Sequence, residues 1–123
     1  MGNFFYRELS DNILGAVFKV HNYLGPGLLE SAYEACLVIE LKKRGLHPSR
    51  QVVFPIYYGG ELASAYLADL IVDDKIILEL KSVQVLSKCM EAQLLNYLRI
   101  SGLKVGYLIN FFGVRAEWKR FVL

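Results

Sequence analysis

The fold is decided by residues 69–81, which read DLIVDDKIILELK. Two apolar runs flank the polar triplet 73–75, and apolar runs of this length bounded by turn-forming residues are typical of buried strands. The runs nevertheless carry three charges, Asp69, Glu79 and Lys81. Charges in the middle of apolar strands are costly unless they are paired or bound to a ligand. We therefore interpret this stretch as a β-hairpin that carries a functional site.

The length of the turn decides whether Asp69 and Glu79 can meet. Directly opposed residues of an antiparallel hairpin point to the same side of the sheet. A two-residue turn at Asp73-Asp74 would pair Asp69 with Leu78, whereas a three-residue loop over 73–75 pairs it with Glu79. We predict the three-residue loop, or a bulge of equal effect. The two Cβ atoms would then be about 5 Å apart.

Two carboxylates at that separation repel one another unless a cation lies between them. Oxygen ligands with room for water suit Mg²⁺ or Mn²⁺. Lys81 shares a strand face with Glu79, and its ammonium could reach a water or a phosphate oxygen. The alternative interpretation is an ordinary cross-strand pairing of Asp69, Glu79 and Lys81 on a solvated face.

The rest of the sequence predicts one α/β (α+β) domain over residues 1–123, with a mixed central sheet flanked by helices. Pro55 removes a backbone donor from the first strand, which indicates an edge strand or a bulge. The fourth strand follows a helix, so we expect it to pair parallel to the third strand through a right-handed crossover. The predicted helices span 11–23, 28–44 and 88–101, and the first of them has Ser10 or Asp11 as its cap. The predicted strands span 50–58, 61–72, 75–83, 103–111 and 117–123.

Composition restricts the class of protein. The chain is 54% hydrophobic and 21% charged, which excludes a disordered chain. A formal net charge of +2 is too small to predict nucleic-acid binding and does not exclude it. No apolar run approaches the roughly 18 residues of a membrane span, and the first residues lack the pattern of a secretory signal peptide. We expect a cytoplasmic protein that does not enter a membrane.

Two helices offer further polar candidates. Glu30 falls in the first turn of the second helix, where the helix dipole favours an acid. Gln93 and Tyr97 are four residues apart and so share a face of the third helix. Dipole complementarity alone could explain Glu30, and a polar surface stripe could explain Gln93.

These residues together resemble a known family. Residues 27–33, GLLESAY, match the Gly-x-x-Glu-x-x-Tyr pattern of the GxxExxY protein family. Ala68-Asp69 followed by Glu79-Leu80-Lys81 resembles the signature of the PD-(D/E)XK nuclease superfamily, to which that family is assigned, with Ala68 in place of the nominal proline. Residues 93–97, QLLNY, resemble the Gln-x-x-x-Tyr element of its exonuclease-like branch.

The resemblance implies a restriction-endonuclease-like core of helix, three antiparallel strands, helix and strand. It also implies metal-dependent hydrolysis of phosphodiester bonds. Asp69 and Glu79 would bind Mg²⁺ or Mn²⁺, helped by the Leu80 carbonyl and by Glu30. Lys81 would position the attacking water.

For the remaining residues, the resemblance implies that Gln93 orients Lys81 or the scissile phosphate and that Tyr97 supports the substrate side. We expect DNA rather than RNA as the substrate, with Lys88 and Arg99 as the best phosphate contacts. Cutting both strands of a duplex would need two sites, which is consistent with a homodimer. The alternative is a catalytically inactive nuclease-fold module that binds nucleic acid or a protein partner. His21, beside the Gly-Pro-Gly turn, could help the site or simply be packed.

Overall fold

The computed structural model describes residues 5–123, and within this range the chain forms three helices and five strands. No helix in the described range is long and apolar enough to cross a membrane. The third helix and the second strand have the predicted boundaries, and the other elements differ from prediction by a few residues at their ends. The helices are α1 (Arg7–Leu24), α2 (Glu30–Lys43) and α3 (Lys88–Ser101); the strands are β1 (Pro48–Tyr58), β2 (Glu61–Val72), β3 (Ile76–Lys81), β4 (Val105–Asn110) and β5 (Glu117–Val122).

The strands form one mixed sheet in the order β1-β2-β3-β4-β5. Strands β3 and β4 are parallel, and the other neighbouring pairs are antiparallel. Helices α1 and α2 cover one face of the sheet and α3 covers the other, so each face has its own apolar core. This arrangement confirms the predicted mixed sheet flanked by helices. It also places β1, which contains Pro55, at an edge.

The β2–β3 hairpin has the predicted three-residue loop, because Val72 pairs with Ile76. Its ladder is short and ends at Leu70 and Leu78. Strands β1 and β2, by contrast, stay paired as far as the Gly59-Gly60 turn. Strand β2 therefore leaves β3 at Asp69, and the far part of the β1–β2 hairpin has no third strand beside it.

The first helix begins earlier than predicted. It starts at Arg7, so Ser10 and Asp11 lie inside the helix and cannot cap it. Ser10 is buried, and its hydroxyl has no hydrogen-bond partner among the described residues. Leu9 packs against the core beneath α1 and α2, and this burial extends the helix past the expected capping position.

Candidate active site

Asp69 lies at an irregularity where the β1–β2 hairpin leaves the sheet. The strand pairing skips Asp69 and the residue opposite it, Gln51. Gln51 has a φ of 49°, a left-handed conformation that is uncommon for residues other than glycine. The side-chain alternation of β2 also changes phase here, because Ala68 faces the core under α3 while Leu70 faces the core under α1 and α2. The carboxylate of Asp69 is thereby turned toward the end of the β2–β3 ladder.

Two hydrogen bonds join Asp69 to strand β3. Its Oδ2 accepts from the Leu80 N–H at 2.9 Å, and its own N–H donates to Oε1 of Glu79 at 3.4 Å. The structure thus brings Asp69 and Glu79 together. The contact runs through side chains and backbone N–H groups rather than through a regular cross-strand pair.

The surroundings of these carboxyl groups favour their protonated forms. Glu79 is 7% exposed. Burial, followed by the negative charge of Asp69, raises the Glu79 pKa to about 7 from its usual 4.5. The pKa of Asp69 is also raised, chiefly by burial and then by the charge of Glu34, although the Leu80 N–H opposes the shift. Such a pair holds its full negative charge at neutral pH only with difficulty, and a bound cation would relieve it.

A tyrosine completes the hydrogen bonding of Glu79. The Tyr66 hydroxyl, on β2, donates to Oε1 of Glu79. Tyr66 is 4% exposed. Burial, then the charge of Glu79 and its hydrogen bond, raise the pKa of Tyr66 strongly, so the phenol stays protonated and remains a donor.

Lys81 ends strand β3 and is half-buried. By strand alternation it shares a face with Glu79, and its charge lowers the pKa of both Asp69 and Glu79. Within residues 5–123, its ammonium forms no hydrogen bond or ion pair. Lys81 is therefore close enough to act on the carboxylate pair while its donors remain available to a ligand.

Buried Asn110 fixes the chain just beyond Lys81. Its Oδ1 accepts from the N–H groups of Val83, at 3.1 Å, and Phe112, at 3.2 Å, and its Nδ2 donates to the Val83 carbonyl at 2.7 Å. The Phe111 N–H in turn donates to the Lys81 carbonyl at 2.9 Å. These bonds anchor the end of β3 to β4.

The acid that helix α2 brings near Asp69 is Glu34. Glu34 is 8% exposed, and its charge raises the pKa of Asp69. Its carboxylate accepts from Arg50 at 2.8 Å and from Gln51 at 3.2 Å, which ties α2 to the irregular part of β1. Glu30, at the start of α2, is exposed and makes no hydrogen bond within the described residues.

Helix α3 brings Tyr97, but not Gln93, against the carboxylate pair. The ring of Tyr97 stacks on Tyr66, with ring centroids 3.4 Å apart. Burial, and then the charges of Glu79 and Asp69, raise the pKa of Tyr97. Gln93 is exposed, and its amide makes no hydrogen bond among the residues described.

The tyrosine of the Gly-x-x-Glu-x-x-Tyr pattern, Tyr33, holds the loop between α1 and α2. The hydroxyl of this fully buried residue donates to the Gly25 carbonyl at 2.7 Å and accepts from the Leu28 N–H at 3.2 Å. His21 is also buried, and its Nε2 lies 3.1 Å from the Phe111 carbonyl oxygen and 2.9 Å from that of Gly113. Both side chains therefore tie elements together, and His21 has a packing role.

Comparison with known proteins shows the family and the fold of the chain. The profile of the PD-(D/E)XK nuclease superfamily matches residues 7–121. The chain belongs to this superfamily. The crystal structure of SSO0001 is similar to this structure, with a TM-score of 0.56 and 20% sequence identity. The similarity covers 95% of this chain and 59% of the SSO0001 chain, and at this identity it concerns the fold alone. This chain thus spans about three fifths of the SSO0001 chain. No curated protein matches the sequence.

Nucleases of the PD-(D/E)XK superfamily generally use divalent metals. Among the described residues, no group of three or more His, Cys, Asp or Glu side chains is arranged to hold a metal ion. The donor chemistry nevertheless fits such an ion, because the buried Glu79 carboxyl group and the half-buried Asp69 carboxyl group supply the oxygen ligands that Mg²⁺ and Mn²⁺ prefer. The negative charge of Asp69, which raises the pKa of Glu79, would also be offset by a cation. Asp69 and Glu79 are therefore the residues of this PD-(D/E)XK chain that would hold a metal.

Sequence reasoning missed Glu34 and Tyr66. A signal for Glu34 was present, because it interrupts the apolar stripe of α2 formed by Tyr33, Leu37 and Leu41. Tyr66 gave no comparable signal, because an aromatic residue in a strand is ordinarily a packing residue. Its contact with Glu79 depends on where β2 leaves β3.

Proposed function

We propose that this protein is a nuclease that hydrolyses phosphodiester bonds in DNA and depends on Mg²⁺ or Mn²⁺. The observation that carries the proposal is the hydrogen bond from the Asp69 N–H to the buried carboxyl group of Glu79, with the charges of the Asp69 carboxylate and the Lys81 ammonium acting on the same group. A purely structural cross-strand salt bridge would give these carboxyl groups lowered pKa values, whereas both pKa values are raised.

In this proposal Asp69 and Glu79 hold the metal, with the Leu80 carbonyl as a further oxygen ligand. When bound, the metal supplies Lewis-acid stabilisation of the charge that develops on the phosphate. Lys81 donates a hydrogen bond to the attacking water and orients it toward phosphorus. Because α2 contributes an acid beside Asp69, Glu34 joins Glu30 as a candidate supporting acid.

Helix α3 supplies the substrate side of the proposal. Tyr97 supports the substrate beside the carboxylate pair, and Gln93 orients Lys81 or the scissile phosphate when substrate is present. Lys88 and Arg99 are both exposed on α3, so their charges are accessible to phosphates. Membership in the GxxExxY family, a preference for DNA over RNA, and formation of a homodimer are parts of the same proposal.

The experiment incubates purified protein with linear, circular, single-stranded and branched DNA, and with RNA, in Mg²⁺ or Mn²⁺. We expect wild-type protein to cleave at least one DNA substrate, and Asp69→Asn and Lys81→Ala to lose that cleavage. Cleavage that survives both substitutions belongs to a contaminant and rejects the assignment. If wild-type protein binds DNA and metal without turnover, the inactive-module alternative is correct.

A further inference from the structure

Tyr66 makes the side-chain hydrogen bond that fixes the orientation of Glu79. The phenol donates to Oε1 of Glu79 from the neighbouring strand β2. Both residues are buried, at 4% and 7% exposure. A buried carboxyl group without such a donor could adopt other rotamers, so this bond selects one of them.

The Tyr66 ring is itself held on both sides. It stacks at 14° to Tyr97, with centroids 3.4 Å apart, and at 16° to Phe54, with centroids 5.9 Å apart. These rings come from α3 and β1, so three elements of the fold converge on one phenol. Its hydroxyl therefore has little freedom to move away from Glu79.

The donors around Glu79 are divided unequally between its two oxygens. Oε1 accepts from the Tyr66 hydroxyl and from the Asp69 N–H. Oε2 accepts neither of these bonds. A carboxylate oxygen with two donors in place has little capacity left for a cation, whereas the other oxygen keeps its lone pairs.

We propose that Tyr66 is a positioning residue, which anchors Oε1 of Glu79 so that Oε2 is presented, together with the Asp69 carboxylate, to a divalent cation. This inference rests on the proposed function and deepens it. Tyr66 touches neither substrate nor metal in this scheme and acts only through Glu79. Donors that orient a metal ligand in this way commonly change metal affinity by about 10–100-fold when they are removed.

The test is Tyr66→Phe, which keeps the stacked ring and removes the hydroxyl. Titration calorimetry with Mn²⁺ alone, without nucleic acid, should show about 10-fold weaker binding than wild type. In the cleavage assay, Tyr66→Phe should need about 10-fold more Mn²⁺ for half-maximal rate and recover most of its rate at saturating Mn²⁺. Tyr107→Phe is the matched control, because Tyr107 is equally buried but belongs to the core under α1 and α2; its Mn²⁺ affinity should equal that of wild type.

Urea denaturation and circular dichroism of each metal-free variant separate a loss of Mn²⁺ affinity caused by a changed orientation of Glu79 from one caused by a change in folding. Tyr66→Phe should lose Mn²⁺ affinity while its circular dichroism spectrum remains that of wild type. An Mn²⁺ affinity within twofold of wild type overturns the proposal, and so does an equal loss in Tyr107→Phe. If wild type binds Mn²⁺, Tyr66→Phe binds it weakly and neither cuts any substrate, the positioning role stands and the nuclease function fails. If wild type cuts and Tyr66→Phe has the same Mn²⁺ dependence, the function stands and the positioning role fails.

Discussion

Replacing Glu79 by glutamine should stabilise the metal-free protein, and the gain should grow with pH. Glutamine has nearly the shape of glutamate and can still accept the hydrogen bonds from Tyr66 and Asp69. It removes the buried negative charge. The unfavourable free energy of that charge in the folded protein is what raises the Glu79 pKa to about 7 from 4.5.

The sign follows from proton binding. Between pH 4.5 and about 7 the folded state holds a proton on Glu79 that the unfolded state has released, so the stability of wild type falls as pH rises through this window. Each pKa unit corresponds to 1.36 kcal/mol. The free energy of unfolding that wild type loses when Glu79 ionises is therefore about 3 kcal/mol in full, and about 2 kcal/mol of this loss develops between roughly pH 5 and pH 8.

The assay is urea denaturation of wild type and Glu79→Gln at pH 5 and pH 8 with a chelator present. We expect Glu79→Gln to be more stable than wild type at pH 8 by about 3 kcal/mol and by about 1 kcal/mol at pH 5. Glu91→Gln is the control, because Glu91 pairs with Lys119 and its pKa is lowered; it should show no gain at pH 8. A Glu79→Gln protein that is equally or less stable at pH 8 would refute the buried-charge reasoning.

The remaining predictions concern the residues around the carboxylate pair. Glu34→Gln should reduce the rise in melting temperature that Mn²⁺ produces, as measured by thermal shift, and should reduce it more than Glu30→Gln does, because only Glu34 is buried and acts on Asp69. Equal effects of the two substitutions would contradict the assignment of Glu34 as the acid near Asp69. Tyr33→Phe should lower the free energy of unfolding by about 1–2 kcal/mol and leave Mn²⁺ affinity unchanged, because its hydroxyl bonds only to loop backbone among the described residues. Asn110→Ala should cost about 2–4 kcal/mol in urea denaturation, and a loss under 1 kcal/mol would contradict its anchoring role.

Local sequence signals predicted most of the fold. The three-residue loop is present, and α3 has its predicted boundaries, where the Ser87 side chain accepts from the Met90 N–H before the first residue and Gly102 follows the last. Each depends on residues close together in the chain, where turn and capping preferences act. The loop length that brings Asp69 opposite Glu79 is predictable for the same reason, although the regular ladder ends one residue earlier, at Leu70 and Leu78.

The parts of the site that escaped prediction depend on contacts between distant residues. The acid beside Asp69 is decided by how α2 sits on β1, where Glu34 meets Arg50. The phase change in β2 comes with the left-handed Gln51 on the opposite strand, which no turn motif announces. Alternation within one strand could not reveal either feature, because both arise from the packing of separate elements.

The most direct test of the central claim compares Lys81→Ala with wild type in Mn²⁺ binding and in cleavage of a single DNA substrate. Because Lys81 acts on the water rather than on the metal, Lys81→Ala should bind Mn²⁺ at least as tightly as wild type. Its single-turnover cleavage rate should fall by about 10²-fold or more, as expected when the group that orients the attacking water is removed. Equal cleavage rates in the two proteins, or a wild type that binds Mn²⁺ but cleaves nothing, would contradict the assignment of Asp69, Glu79 and Lys81 as a nuclease site.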